Sequence, residues 1–341
     1  MEARSTLWRS ARRWLPGLVI SIVAFVVLFN LVSFKELAEA FALIKLPHIL
    51  LAVFLTLVSL LTRSLAWRVL LGPQAKVSIT YYVVSIGYLF NNVFPLRAGE
   101  IARALLMGRS TGLGTFYVLS TIVIERSFDL IVAAGMLLAT LPLALGMDWA
   151  RPVAISTLFL VLAGLASLFL MANNQARITT WVSRLGKRIP LVERYVVPRI
   201  ESTLHGFSAL TDPRKFVVSL FWILVSWIIY VSIFYVLIQS IHPGAPFWWA
   251  AFTDGITALG VAIPSAPGGL GVYEAAIVGA LSLLSVPVSL ALAFALVLHF
   301  LAFSVTTVMG LIGLTQMGQS MMDLFAEVLR RRVDDNSPTS A

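Results

Sequence analysis

The segment Ile79–Gly108, with the sequence ITYYVVSIGYLFNNVFPLRAGEIARALLMG, is apolar enough for a membrane but is interrupted by Pro95 and Gly99. Proline removes a backbone donor and disfavours helix at the preceding residue, and glycine tolerates conformations that other residues resist. The segment therefore predicts a broken helix. Phe247–Leu284, FWWAAFTDGITALGVAIPSAPGGLGVYEAAIVGALSLL, predicts another, because two prolines and three glycines lie between Pro264 and Gly271.

Around these two segments the composition is that of a membrane protein. Of 341 residues, 59% are hydrophobic and only 12% are charged, against about 25% charged residues in soluble domains. Uninterrupted apolar runs of spanning length occur at six places: Leu15–Ser33, Leu46–Trp67, Thr115–Leu141, Pro152–Met171, Phe216–Ser240 and Val288–Thr315. We therefore predict an all-α, polytopic membrane helical bundle with about six full spans and two opposed re-entrant helical hairpins, eight or more helices in total.

Charge determines the predicted orientation. The N-terminal residues 1–14 and the loop 172–215 are basic, so the positive-inside rule places both in the cytoplasm. The N-terminus and the loop can both be cytoplasmic only if neither broken segment crosses the membrane. We therefore predict that both are hairpins, the first entered from the cytoplasm and the second from outside. A single transmembrane domain then covers 15–315, with 172–215 as a cytoplasmic basic amphipathic loop and 316–341 as a cytoplasmic C-terminal tail. Both hairpins contain Pro-x-x-x-Gly, a match that is short but whose placement suggests an inverted repeat.

The net charge of +9 has two explanations. Because the basic residues lie in short segments between apolar runs, contact with anionic lipid headgroups explains the charge better than nucleic-acid binding does. Cysteine is absent, which excludes disulfides and thiolate metal sites. The four histidines have no ligand spacing, so we expect neither a metal nor another cofactor.

The first polar cluster surrounds the break near Pro95. A helix that begins after such a break directs its N-terminal N–H groups at the cavity it faces, and arginines favour phosphate there. An ordinary cytoplasmic loop with interfacial arginines is the alternative. The candidate substrate-binding residues are Asn92, Arg97, Gly99, Glu100 and Arg103, beside Asn91.

The second cluster, Glu125, Arg126 and Asp129, lies within a spanning run. Each unpaired charge at that depth costs roughly 2.5–3.5 kcal/mol, so the cluster cannot face lipid. Its local charge of −1 requires a basic partner, for which Arg63, Arg97 and Arg103 are candidates. The group is interpreted either as part of a functional cavity or as a purely structural ion-pair network.

The third cluster follows the second break. Glycine-rich backbone can approach a phosphate closely, but the Lys-Ser/Thr of a nucleotide-binding P-loop is absent, and a plain extracellular turn is the alternative. The candidates are Pro267, Gly268, Gly269, Gly271, Tyr273 and Glu274, with Asp254 as a further buried acid. We expect Arg97, Glu125 and Glu274 to converge on one cavity.

In the order and spacing of these three clusters, the chain resembles the flippase-like family, which is the membrane region of lysyl-phosphatidylglycerol synthases and their stand-alone relatives. The resemblance implies a bacterial inner-membrane protein, multi-pass, that moves lipid between leaflets. In the synthases the lipid-charging activity lies in a separate soluble C-terminal domain. This chain ends shortly after its last predicted span, so we do not expect an enzyme that makes lysyl-lipid.

The leading hypothesis is a lipid translocase whose partners are membrane lipids, anionic or phosphate-bearing, with a lipid-synthesis enzyme as a further candidate partner and no nucleic acid. Arg97 and Arg103 would bind phosphate, and amides after Gly99 and Gly271 would add donors. Glu125, Asp129 and Glu274 would balance charge, bind a cationic headgroup or take up protons. A membrane-embedded transferase acting on a lipid-linked substrate and a non-transporting scaffold of a lipid-synthesis complex are the alternatives.

Overall fold

The computed structural model describes residues 19–95, 97–145, 175–186, 212–261 and 265–334, and scattered positions between 152 and 174. These residues form helices and no strand. The α-helices with assigned bounds are α1 Val19–Asn30, α2 Phe34–Ala42, α3 Leu46–Leu71, α4 Val77–Val93, α5 Ala98–Thr111, α6 Thr115–Leu145, α7 Gln175–Gly186, α8 Pro213–Ile241, α9 Phe247–Gly260, α10 Val272–Leu283, α11 Val288–Gln316 and α12 Met321–Asp334. A short 3-10 helix, Pro267–Gly269, precedes α10.

Four helices are long and apolar enough to cross a membrane: α3, α6, α8 and α11. Each coincides with one of the apolar runs predicted to span. The predicted span Pro152–Met171 lies mostly outside the described residues. The polytopic helical class is therefore confirmed, with four to five candidate spans in the described part of the chain.

The first predicted span, Leu15–Ser33, is not a straight helix through Ser33. Helix α1 ends at Asn30, and α2 leaves at 87° to it. Ser33 accounts for the bend, because its side chain accepts from the Glu36 amide while Glu36 Oε2 accepts from the Ser33 amide at 2.9 Å. This capping box begins a new helix at Phe34, where the sequence predicted only a loop.

Both broken segments fold back on themselves. A Cβ atom on Gly99 would lie 1.9 Å from the Gly87 carbonyl oxygen, so α4 and α5 are in direct backbone contact. In the second segment a Cβ on Gly260 would lie 2.8 Å from the Cβ of Ala276, which brings α9 and α10 together. Each pair encloses its break at the tip of a helical hairpin.

The hairpins are held by the long helices. Helix α11 packs along α4, where Gly310 and Gly313 allow close approach: a Cβ on Gly310 would lie 2.4 Å from the Leu89 Cβ. Helix α9 packs on α6, α8 and α10. The two hairpins are therefore built into the helix bundle rather than attached to its surface.

Helices α7 and α12 are amphipathic. Helix α7 falls within the predicted amphipathic loop 172–215, most of which lies outside the described residues. Helix α12 was not predicted, since Arg330–Ala341 was expected to be irregular, yet the helix continues to Asp334. Phe325 of α12 stacks on Phe94 with ring centroids 3.7 Å apart, and Glu327 pairs with Arg109. Helix α12 is therefore packed against the first hairpin.

Candidate functional site

The centre of the candidate site is Glu125, which is fully buried. Its Oε1 accepts from Arg63 Nε at 3.0 Å, and its Oε2 accepts from Arg103 Nη2 at 2.5 Å. The Arg103 guanidinium also stacks on the Trp67 ring at 4.1 Å. One carboxylate therefore joins α3, α5 and α6 inside the bundle, about 15 Å along α6 from Thr115 by helix rise.

Asp129 extends the network by one helical turn. It pairs with Arg63 and accepts from Arg126 Nη1 at 3.1 Å, and its second oxygen accepts from Trp227 Nε1 at 3.1 Å. Asp129 thus connects α3 and α6 to α8. Like Glu125, it has arginine partners, and these ion pairs offset the cost of burying a carboxylate.

The outer end of the network reaches accessible space. Arg126 Nε lies 3.1 Å from Glu100 Oε1, and Arg97 Nη1 lies 4.0 Å from the same oxygen. The Arg97 side chain is 53% exposed, against 32% for Arg126. We call the six paired residues Arg63, Glu100, Arg103, Glu125, Arg126 and Asp129 the charge network. Its three arginines balance its three acids, so Arg97, which shares Glu100 with Arg126, brings the net charge of the whole group to +1.

Arg97 also occupies an unusual backbone position. It precedes α5 with φ 54° and ψ 44°, the left-handed region that a non-glycine residue seldom adopts. Such a conformation costs of order 1–3 kcal/mol and persists only where the surroundings impose it. The strain lies at the break predicted from Pro95 and Gly99.

The amides at the start of α5 are already bonded. The Gly99 amide donates to Asn91 Oδ1 at 2.9 Å, and the Glu100 amide donates to the Arg97 carbonyl at 3.1 Å. The Gly99 and Glu100 amides are therefore occupied within the protein, while the prediction that the helix N-terminus after Gly99 donates to a phosphate stays a prediction. The Asn92 side chain contacts α11 instead, where it donates to the hydroxyls of Thr306 and Thr307, each at 3.0 Å.

The second break is held by Glu274. Its Oε2 accepts from the Gly271 amide at 2.7 Å, and its Oε1 lies 2.5 Å from His299 Nδ1. The other ring nitrogen of His299 lies 3.0 Å from the Gly268 carbonyl oxygen. The Gly271 amide is thus occupied too, and its φ of 82° suits glycine. Glu274 and His299 form a polar clamp on the loop from Pro267 through Gly269 to Gly271.

Further contacts anchor the same loop. Ser21 Oγ of α1 accepts from the Ala266 amide at 2.9 Å, so the N-terminal helix also supports the second break. The Tyr273 ring lies 4.4 Å from the His299 ring, and its hydroxyl is buried beside Tyr230.

The two breaks lie next to each other. Arg97 Nη2 is 3.4 Å from the carbonyl oxygen of Val261, at the end of α9. A Cβ on Gly268 would lie 3.5 Å from the Asn92 carbonyl oxygen. The structure therefore brings Arg97, the charge network and the second break together, but Glu274 bonds to His299 and its own loop rather than joining Glu125 in the network.

Three residues of the site were not predicted from the sequence. Trp67 and Trp227 contact the charge network, and His299 completes the clamp. The histidines have no ligand spacing, so His299 was not among the candidates, although its position eleven residues into an apolar run was a usable signal. The tryptophans gave no signal that separates them from ordinary helix-packing residues.

Gly99→Ala is expected to destabilise the protein strongly. The new methyl group would collide with the Gly87 carbonyl oxygen, which cannot move without shifting α4, so the cost should reach or exceed about 3 kcal/mol. Thermal unfolding in detergent measures the change. Gly279→Ala is the matched control: its added Cβ meets nothing within 4 Å, so it should be neutral or stabilising by up to about 1 kcal/mol. Equal effects would contradict the backbone contact.

These features define a polytopic helical membrane protein with a buried charge network beside two broken hairpins. A model of the lysylphosphatidylglycerol synthase TM region family matches residues 14–310, and the chain belongs to this family.

Among curated proteins, the chain is similar to UPF0104 membrane proteins of archaea. One from Methanothermobacter thermautotrophicus is 25% identical over 264 residues, covering 74% of this chain and 78% of the relative. Another from the same organism is 22% identical over 337 residues, covering 92% and 98%. A third relative, from Methanocaldococcus jannaschii, is 24% identical over 220 residues, covering 62% and 87%. No solved structure matches the chain.

Proposed function

We propose that this protein is a lipid translocase that moves a polar lipid between the leaflets of a bacterial cytoplasmic membrane. The observation that carries the proposal is the surplus positive charge at Arg97, whose half-exposed side chain lies where the two broken hairpins meet. Arg97 and the charge network together contain four arginines and three acids, and Arg97 has a more exposed side chain than Arg63, Arg103 or Arg126, so a ligand of opposite sign can reach it. The ligand class that fits is an anionic headgroup, such as a lipid phosphate.

The proposed topology has six full spans and two re-entrant hairpins entered from opposite sides, with both termini in the cytoplasm. Helix lengths support it: α4, α5, α9 and α10 have 17, 14, 14 and 12 residues, whereas a full span needs about 20. The fold-back contacts between α4 and α5 and between α9 and α10 also support it. Two such hairpins in opposite orientation are the arrangement expected of an inverted repeat.

In the proposed mechanism the headgroup binds to Arg97 and to the accessible side of Arg126, while the acyl tails stay in the bilayer. A guanidinium suits a phosphate because two N–H groups can bond to two oxygens. Arg63, Arg103 and Glu125 are buried among themselves and act as the fixed frame that positions Arg126. Movement is passive or coupled to an ion gradient.

The test is lipid transfer in proteoliposomes of the Arg97→Gly variant. Losing a charge-assisted contact of about 1.5–3 kcal/mol should slow transfer of a fluorescent phosphatidylglycerol about 10- to 150-fold. Glycine also relieves the left-handed strain at this position, so thermal stability should stay equal or rise. The control is Arg109→Ala, at the far end of α5, whose 54% exposed side chain pairs with Glu327 and not with the charge network; it should transfer lipid at the wild-type rate.

Other outcomes decide between the proposal and its alternatives. Arg97→Gly at the wild-type rate would exclude Arg97 as the headgroup contact. Failure of the wild-type protein to move any anionic, zwitterionic or cationic lipid would overturn the proposal. In that case, chemical change of the lipid without transfer would favour a transferase, and co-purification with a lipid-synthesis enzyme would favour a scaffold.

A further inference from the structure

Asp254 is a buried acid that the proposed mechanism leaves unused. It lies on α9, is 2% exposed, and its Oδ2 has no hydrogen-bond partner among the described residues. The neighbouring hydroxyls do not serve it, because Thr253 donates to the Trp249 carbonyl and Thr257 donates to the Thr253 carbonyl. Asp254 thus differs from Glu125, whose two oxygens each have an arginine.

The groups that face Asp254 come from every helix packed on α9. From α6 the charge that acts on it is the Asp129 carboxylate. From α8 and α10 the neighbouring titratable groups are Tyr230 and Tyr273, and Glu274 follows Tyr273 on α10. The arginines near Asp129 are paired with other acids: Arg63 binds Glu125 and Asp129, and Arg126 binds Glu100 and Asp129. Asp254 therefore has an acid and two phenols around it and no cation among the described residues.

An ionised carboxyl group is unfavourable in such surroundings. Burial removes its hydration, the Asp129 charge repels it, and no donor compensates for either effect. A protonated carboxyl group avoids the repulsion and most of the desolvation cost, and it can itself donate a hydrogen bond. The Tyr273 hydroxyl, which is buried and lies beside Tyr230, provides a second group through which a proton can be relayed.

We propose that Asp254, with Tyr230 and Tyr273, forms a proton-binding site that couples proton uptake to binding of the anionic headgroup. The coupling acts through Asp129, which touches Arg126 on one side and repels Asp254 on the other. When a bound phosphate attracts Arg126, the negative charge of Asp129 is less neutralised. The Asp129 charge then repels an ionised Asp254 more strongly, which favours the protonated form of Asp254. By linkage, the proton in turn favours the bound headgroup. This inference rests on the proposed function and names its driving ion.

The first experiment needs no transport. Infrared spectroscopy of the purified protein at neutral pH should show the carbonyl band of a protonated carboxyl group, and Asp254→Asn should remove that band. Asp323→Asn, on an exposed position of α12, is the control and should leave it unchanged. A wild-type spectrum without the band would overturn the proposal, and a band that appears only when sodium is removed would assign a sodium site instead.

The second experiment follows lipid transfer against pH. The wild-type rate should fall as pH rises, by on the order of tenfold per pH unit once the site has lost its proton, the limit for one proton. Asp254→Asn is permanently neutral, so its rate should stay near the low-pH value at every pH. The same pH dependence in Asp254→Asn and wild type would overturn the inference while leaving the translocase intact. Absence of transfer in the wild type at every pH would instead refute the proposed function, and the infrared result would still stand.

Discussion

Glu125→Ala is expected to destabilise the folded protein by about 3–5 kcal/mol, the usual cost of breaking a buried ion pair by removing one partner. Arg63 and Arg103 would then be left without the carboxylate that both bind. The larger part of the cost should come from Arg103, which is 4% exposed and is paired with Glu125. Arg63 would still be paired with Asp129. The loss can be measured as a lower denaturation midpoint in detergent, followed through tryptophan fluorescence.

A double-mutant cycle shows whether the cost comes from the stranded arginine. Replacing Glu125 with glutamine and Arg103 with methionine removes the charge and its partner together, so the double variant should be more stable than Glu125→Gln alone. The control is Glu39→Ala, an exposed acid on α2, which should change stability by less than about 0.5 kcal/mol. Additive effects of the two substitutions would contradict the direct pair.

The same variants separate the two interpretations of the charge network. If the double variant regains stability and transfers lipid, the pair is a structural lock. If it regains stability but transfers no lipid, the charges themselves act on the headgroup or on Arg126. The geometry supports the lock for Glu125 and Arg103, which are buried, and the headgroup contact for Arg97 and Arg126, which are partly exposed.

Glu274→Ala is expected to be the second severe substitution, with a loss of about 2–6 kcal/mol. It strands two buried groups, the Gly271 amide and His299 Nδ1, and an unsatisfied buried polar group costs about 1–3 kcal/mol. Glu274→Gln should be milder, because the amide oxygen can still accept from Gly271 and the amide nitrogen can donate to a neutral His299. Thermal unfolding of the two variants measures the difference.

Hydrogen exchange localises the effect. In Glu274→Ala the amides from Ala266 to Gly271 should exchange faster, while those of the first hairpin should not change. Asp323→Ala, on an exposed position of α12, serves as the control and should leave the pattern unchanged. Unchanged exchange at the second break in Glu274→Ala would show that Ser21 and His299 hold the loop without it.

Local sequence patterns predicted the helices and the breaks well. Apolar runs of about 20 residues identified α3, α6, α8 and α11, because hydrocarbon requires every backbone group to be satisfied within the segment. Pro95 and Gly99 identified the first break, and the glycine-rich run after Pro264 identified the second. Two features were missed: the bend at Ser33, whose Ser-x-x-Glu signature was present in the sequence, and the helical tail Met321–Asp334.

The sequence did not determine which charged residues pair with each other. Arg63, Arg97 and Arg103 were all candidate partners of the Glu125 cluster, since spacing along the chain does not determine which helices touch. The structure places Arg63 and Arg103 on Glu125 and leaves Arg97 at the junction of the breaks. Spacing along the chain also did not show that Asn91 accepts from the Gly99 amide and Glu274 from the Gly271 amide. That the amides after these two glycines donate to a phosphate stays a prediction.

The sequence by itself determined that this is a polytopic helical membrane protein with two broken segments and intramembrane charge, because hydropathy and backbone chemistry are local properties. Only the tertiary structure decided which charges neutralise one another, that Arg97 carries the surplus, and that Asp254 has no cation near it among the described residues. Those facts depend on contacts between helices far apart in the chain, such as the one that brings Arg63 of α3 to Glu125 of α6. Burial strengthens each such contact and raises the free-energy cost of a charged group that lacks one.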